Sequence, residues 1–192
     1  MTDAVTTTRE FQGLQIPAAG TYVLDAAHKR VGFVVRHLMV SKVRGDFGEA
    51  SATITIGEDP LQSSVTATIA TESVFTGQPD RDNHLRTGDF FEVAKYPTIE
   101  FRSTGITSFD GNEFVLGGEL TIKGITKPVE LLVEFEGVGR SPYGHDVFGF
   151  SATTEVDRED WGLTYNMALE SGGVMIGKKV KIEIEGEAIR QA

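Results

Sequence analysis

From Gly20 onward the chain alternates apolar and polar residues with a period of two, the pattern of half-buried β-strands. TYVLD, residues 21–25, reads as a short strand. VGFVVRHLMV comes next, with Val31, Phe33, Val35, His37 and Met39 on one face. Its other face, Val34, Arg36, Leu38 and Val40, is also largely apolar, which suits a strand covered on both sides. VRGDFGEASATITI sets Ala50, Ala52, Ile54 and Ile56 against Ser51, Thr53 and Thr55. Gly45 and Gly48 near its start predict a bulge or a sharp bend. SSVTATIAT turns Val65, Ala67 and Ile69 one way, and TIEFRSTGI sets Ile99 and Phe101 against Glu100 and Arg102. EFVLGGELTIKG and KPVELLVEFEG, separated by Ile125 and Thr126, predict a hairpin. VFGFSATTEV aligns Phe148, Phe150, Ala152 and Thr154; KKVKIEIEGEAI sets Val180, Ile182 and Ile184 opposite Lys181, Glu183 and Glu185.

The pattern predicts an all-β protein of about eight to nine strands, with most joins short enough for antiparallel pairing. There is no βα alternation, so a parallel α/β fold is disfavoured and a sandwich or a closed barrel remains. Closure removes exposed edges, and about eight strands leave room for a filled core or one ligand. On the inner face, small residues (Ala50, Ala52, Ala67, Gly149, Ala152) mix with Phe33, Phe101, Phe148 and Phe150. A densely packed barrel wants more Leu and Ile there, so this mixture predicts a tunnel lined by aromatic and small side chains.

One stretch departs from the alternation. RDNHLRTGDFFEVAKYPTIEF, Arg81–Phe101, crowds three cations, four anions, a histidine and four aromatics together. Asp80 can open a short helix over Arg81–Arg86, with Asp82 and Arg86 at same-face spacing and Gly88 as a stop. Asp89-Phe90-Phe91-Glu92 has the form of a capping box that opens a second turn, and Pro97 stops that turn. Two short helical turns carrying Phe90 and Phe91 are expected. One reading makes them a plug with Leu85, Phe90 and Phe91 underneath, and Arg81 and Asp82 as structural ion-pair partners. The other brings Arg81, His84 or Arg86 to the polar head of something held below; a plug can also be a gate.

Composition narrows the partners. The chain has 192 residues, which suits one domain with a sizeable core. A net charge of -10 disfavours nucleic acid and anionic lipid surfaces, although a local basic patch is compatible with it. No apolar run approaches the ~20 residues of a membrane span. The N-terminus lacks the basic start and apolar core of a secretory signal, so a cytoplasmic location is expected. Residues 1–19, Thr-rich and mixed in polarity, read as a flexible leader, with Phe11, Leu14 and Ile16 available to dock on a domain spanning 20–192. The absence of cysteine removes disulfides, thiolate catalysis and Cys-based zinc sites.

Among the four histidines, His28, His37, His84 and His145, none are paired at helical metal spacing, and no metal site is expected. His37 shares a face with Phe33 and Val35, where a histidine is hydrogen-bonded core or orients a head group. No GxSxG is present. DREDWG, Asp157–Gly162, reads as a turn whose Trp161 closes the barrel's other side; SGGVMIG, Ser171–Gly177, lacks a phosphate loop's Lys-Ser/Thr and reads as a loop near an entrance.

RDNHLRTGDFFEVAKYPTIEF together with GGELTIKGITKPVEL resembles the YceI-like family of lipid-binding proteins. So do YVLDAAHKRVGFVVRHL, VRGDFG and EVDREDWGL, in that family's order, from about Gly20 to Ile189. The resemblance implies a lipocalin-like antiparallel β-barrel with helical turns at Arg81–Val93, often dimeric, that holds a long apolar molecule of polyisoprenoid type. Many members are exported, and this chain departs in showing no signal. Lys29 also departs, standing where the family commonly has a small hydroxyl residue after the histidine matching His28.

The expected function is therefore binding of a long-chain lipid inside the barrel, of polyisoprenoid, isoprenoid-quinone or fatty-amide type, for carriage, storage or sensing. No cofactor is expected beyond that ligand. Phe33, Val35, Phe101, Phe148 and Phe150 are the expected lining; Phe90, Phe91 and Trp161 stand near the closures; Arg81, His84 and His37 are candidates for the head group. The alternatives are an enzyme acting on a lipid-like substrate, for which the histidines with a carboxylate are the only material, and a non-binding structural or stress-related dimer with a filled core.

Overall fold

A computed structural model describes residues 7–192. The expectation of a leader over Met1–Thr6 lies outside them. Eight antiparallel strands close into a barrel. In chain order, β1 (Thr8–Phe11) and β2 (Leu14–Pro17) form a separate hairpin; next come β3 (Gly20–His37), β4 (Ser41–Phe47), β5 (Ala50–Ile56), β6 (Ser64–Ala70) and the short β7 (Val74–Phe75). Helix α1 (Pro79–Leu85) precedes β8 (Thr98–Asp110), β9 (Glu113–Ile122), β10 (Ile125–Arg140), β11 (Asp146–Asp157) and β12 (Ile176–Arg190). The wall runs β3-β5-β6-β8-β9-β10-β11-β12, and β12 pairs back with β3 to complete the ring.

TYVLD and VGFVVRHL are one strand of 18 residues and not two. Its first part, Gly20–Val23, pairs with Thr53–Ile56 of β5, and its last part, Gly32–His37, pairs with Ser41–Asp46 of β4. Between them, Leu24–Val31 has a strand partner on the β12 side alone. The bend expected at Gly45 and Gly48 falls at Gly48, where β4 ends and β5 begins. β4 leaves the wall to pair with β7, through Asp46–Phe75 and Phe47–Val74. The strand also stops three residues short of the end of the apolar run: Leu38 and Met39 take positive φ (51° and 61°) and turn the chain, so Met39 does not share the inner face.

The β9–β10 hairpin forms, with its turn two residues earlier than expected. Lys123 and Gly124 occupy it, both left-handed (φ 53° and 75°), and Ile125 and Thr126 pair with Ile122 and Thr121. Such a turn matches the right-handed twist of its strands, and glycine enters it without steric cost.

Segment 8–17, within the expected leader, is a hairpin under one mouth of the barrel. The Phe11 ring meets Phe109 edge-on at 5.4 Å, and Ile16 is buried. Tyr22 is anchored at the same end, donating its hydroxyl proton to the Ala18 carbonyl (2.9 Å) and packing edge-on against Phe148.

Segment 79–97 closes the other mouth. Gln78, not Asp80, caps α1, its side-chain oxygen accepting from the Arg81 amide (2.7 Å), with Pro79 at the first helical position. The buried Asp82 carboxylate accepts from the Thr76 amide (2.8 Å) and hydroxyl. Arg86 donates to the Glu72 and Val74 carbonyls, so Asp82 and Arg86 do not pair side chain to side chain. The second helix expected from Asp89 does not form. Glu92 is left-handed (φ 49°), and the chain makes a series of turns tied to Leu85, Arg86 and Thr87 carbonyls. Phe90 and Phe91 are adjacent and both face the cavity, an arrangement successive helical residues, about 100° apart, do not give.

Candidate functional site

The barrel is hollow. A cavity of about 350 Å3 runs through it, within the ~300–1,000 Å3 range of small-molecule sites. The inward residues predicted by alternation on β5, β6, β11 and β12 line it. Among them, Ala50, Ala52, Ala67 and Ala152 supply the small surface; Gly149 lies on the opposite face and does not.

Aromatic rings leave this lumen open because three of them lie against glycines of neighbouring strands. A Cβ at Gly45 would overlap the Phe33 ring, and one at Gly118 the Phe101 ring; at Gly186 it would press on Leu24 and Phe150. Each glycine lets a ring lie along the wall where it would otherwise project inward. Phe148 and Phe150 form a further patch, with centroids 6.1 Å apart.

Eight of the sequence-predicted residues line the cavity: Phe33, Val35, Phe90, Phe91, Phe101, Phe148, Phe150 and Trp161. His37, Arg81 and His84 do not. His37 ends β3 beside Ile176, at the rim. Arg81 is exposed and donates to the Thr76 hydroxyl (2.7 Å) and carbonyl, which fastens α1 to the preceding loop. His84 sits on the outer side of the stopper, with Nε2 2.8 Å from Asp89 Oδ2 and its ring edge-on to Phe90 and Tyr165.

Trp161 corrects a second expectation. It closes the same end as Phe90, packed with Leu163, Ile99, Leu120 and Ile122, and not the opposite end. The far mouth is closed instead by Phe11, Leu14 and Ile16 of the hairpin and by Pro60 and Leu61. Trp161 is 2% exposed and donates its indole proton to the Leu120 carbonyl at 3.0 Å.

Arg158 is the charged side chain of the lining, and sequence reasoning did not single it out. It is 6% exposed. Nε donates to the Gly177 carbonyl (2.9 Å), one terminal nitrogen to Leu163 and the other to Ile176 (3.4 Å). Burial pushes its pKa below the ordinary arginine value, partly opposed by Glu159 and Asp157. A guanidinium has five N–H donors, so these three contacts leave two of them uncommitted.

Among the described residues no carboxylate lines the cavity. The His84–Asp89 pair lies outside it, and no inward acid accompanies His37. What lines the lumen is apolar surface and one cation, Arg158. One group of three potential metal ligands does come together on the outer wall. Asp25, His28 and Glu187 place donor atoms within 4.8 Å of one another, where β3 bulges opposite Glu187. No helix among the described residues is long and apolar enough to cross a membrane.

A family model described as "YceI-like domain" matches residues 22–188. UPF0312 proteins of Staphylococcus aureus strains N315 and Mu50 are each 40% identical over 168 residues, covering 86% of this chain and 95% of theirs. The Campylobacter jejuni YCEI protein superposes with a TM-score of 0.69 at 30% identity, over 82% of this chain and 90% of that one. Burkholderia cenocepacia BcnA superposes at 0.75 with 22% identity, over 85% and 98%. A polyisoprenoid binding domain from Saccharophagus degradans, implicated in plant cell wall breakdown, superposes at 0.68 with 13% identity, over 91% and 100%. The last two likenesses speak to the fold alone.

Proposed function

Because this chain belongs to the family of YceI-like domain proteins, we propose that it binds a long apolar lipid inside the barrel, of prenyl or fatty-amide type, and is not an enzyme. The observation that carries this reading is the hollow lumen of about 350 Å3, apolar along its length and with no inward carboxylate among the described residues. Transfer of apolar surface from water gives ~25 cal/mol per Å2, or ~0.8 kcal/mol for each buried methylene, so a chain gains affinity with length and needs few polar contacts. The name of the Saccharophagus neighbour agrees with this reading.

The polar head of such a lipid belongs at the stopper end. Arg158 is buried there, and its remaining N–H groups suit a carbonyl, amide or phosphate oxygen. The tail then runs past Phe101, Phe148 and Phe150 toward the mouth covered by the β1–β2 hairpin.

The test is native mass spectrometry of the purified protein, with solvent extraction of its cargo, and then titration of stripped protein with prenols, isoprenoid quinones and fatty amides. A stoichiometric lipid, or saturable uptake of one of these classes, is expected. Empty protein that takes up none of them overturns the reading.

A further inference from the structure

The turn joining β3 to β4 is built from the wrong residues for its backbone. Leu38 and Met39 both have positive φ, 51° and 61°, where glycine, asparagine and aspartate are the low-cost choices. Packing does not explain them either, because Leu38, Met39 and Val40 are 39%, 56% and 81% exposed. Strained backbone and unburied apolar surface coincide in three consecutive residues.

The turn is tied to a second apolar loop. The Leu38 amide donates to the Met175 carbonyl (2.8 Å), and the Met175 amide to the Met167 carbonyl (3.0 Å); Met167 is also exposed. Ile176, next in the chain and paired with His37, lines the cavity. The two loops therefore form an apolar rim at the stopper end of the lumen.

Charge gives this rim a direction. Residues 26–45 carry five Lys or Arg and no Asp or Glu, the longest acid-free run in a chain of net charge -10. Arg30 is paired with Asp46 and Glu183. Arg36, Lys42 and Arg44 are exposed, and among the described residues none has an ion-pair partner. Arg36 and Lys42 stand directly opposite each other on β3 and β4, a like-charge pairing that is unfavourable unless something negative faces it. The nearby acids do not fill that role. Glu159 holds Lys178, Asp157 stands across from Lys179, and Glu170, exposed on the 167–175 loop, forms no ion pair with Arg36, Lys42 or Arg44 among the described residues.

We propose that the Leu38–Val40 turn, with Met167, is a docking tip for an anionic lipid bilayer, where the barrel exchanges its cargo. The cargo part rests on the lipid-binding reading above; the docking part stands on the tip alone. The apolar side chains enter the interface, and Arg36, Lys42 and Arg44 meet head-group phosphates. The acidic remainder of the surface is repelled and keeps the rim facing the bilayer.

The experiment is flotation of the whole chain with vesicles of phosphatidylcholine, with and without phosphatidylglycerol. Three cations predict binding to the anionic vesicles roughly a hundredfold tighter than to the neutral ones, eroding as salt is raised. L38N/M39G gives the turn the residues its φ angles favour, so it folds at least as stably as the parent, yet binds anionic vesicles about tenfold more weakly. R36E/K42E loses the preference for anionic lipid. Equal binding of both vesicle types overturns the proposal, as does L38N/M39G binding like the parent. A lower sedimentation coefficient for L38N/M39G than for the parent also overturns it, by showing the rim to be a self-association surface. Lipid uptake is measured separately in vesicle-free solution. Uptake without docking removes the tip and leaves the lipid-binding reading, whereas docking without uptake does the reverse.

Discussion

Trp161 donates its indole N–H to the main-chain oxygen of Leu120 at 3.0 Å, joining the turn after β11 to the wall at β9. It is the chain's one tryptophan, and it lines the cavity.

Trp161→Phe keeps an aromatic ring and removes the hydrogen bond, so a loss of about 1–2 kcal/mol is expected. For a chain of this size that lowers Tm by roughly 2–8 °C, read by thermal unfolding. In the parent, titration with a prenol should shift the tryptophan emission, because the ligand replaces water or void beside the ring. Emission that stays constant while uptake is proved by mass spectrometry would place the ligand away from Trp161.

Gly45→Ala forces a methyl group into the Phe33 ring. The ring must swing into the lumen or the strands must part, at a cost of about 1–3 kcal/mol. Stability and lipid uptake should fall together. Truncating the ring in the same chain, G45A/F33A, should cost less than the G45A and F33A losses added together, a coupling visible in a double-mutant cycle. Strict additivity would mean that the glycine does not serve the ring.

Arg158→Met takes the guanidinium donor from the Gly177 and Leu163 carbonyls, while Ile176 keeps its bond from the Asn166 side-chain amide (2.8 Å). A destabilisation of about 2–4 kcal/mol is expected, with faster hydrogen exchange in residues 163–177. Arg158→Lys retains the charge and loses the fork, so its stability should lie between those of the parent and the Met variant. If the lipid head meets Arg158, both variants weaken uptake of a head-bearing prenol more than that of a plain hydrocarbon of equal length.

Asp25 and His28 titrate as neighbours on the outer wall. The hydrogen bond that the His28 ring donates to the Asp25 carboxylate raises the His28 pKa, Glu187 adding to it, and the same bond together with that from the Ala27 amide holds Asp25 below its usual value. A raised imidazole favours the folded state fully below its unfolded pKa of about 6.5, and that contribution is lost as pH rises through the raised value. A lowered carboxyl contributes fully above about 3.9 and loses its contribution as pH falls through the lowered value. Ring-proton NMR should place the His28 midpoint above about 6.5. Asp25→Asn should bring it down further than Glu187→Gln does, and an unmoved midpoint in Asp25→Asn would contradict the hydrogen bond. Both groups are on the surface, so the change in thermal stability should be small.

Much of the barrel was legible because one face of each strand must be buried, and that requirement writes a period of two into the chain. Val65, Ala67 and Ile69, or Val180, Ile182 and Ile184, declare their side without help from the rest of the fold. Position along the barrel axis could not be read. Nothing local tells Trp161 that it closes the same mouth as Phe90. His37 has the right parity and stands too far along its strand to enter the lumen. Arg158 lies within DREDWG, a stretch that reads only as a turn, because its carbonyl partners from 163–177 are visible only once the chain has folded. The second helical turn failed for a related reason. Asp89-Phe90-Phe91-Glu92 satisfies a local capping rule, and the tertiary demand that both rings face the lumen overrode it.

Leu24–Val31 is joined to the wall along one side only, with two-sided pairing on either end of it. Across the unstitched side the described bridges are side-chain ones: the Lys29 ammonium on the Gly48 carbonyl, and Arg30 on the Asp46 carboxylate. Such a tube has a fly-front: warmed or pulled, it unbuttons lengthwise at this place while the stoppers at both mouths are still shut.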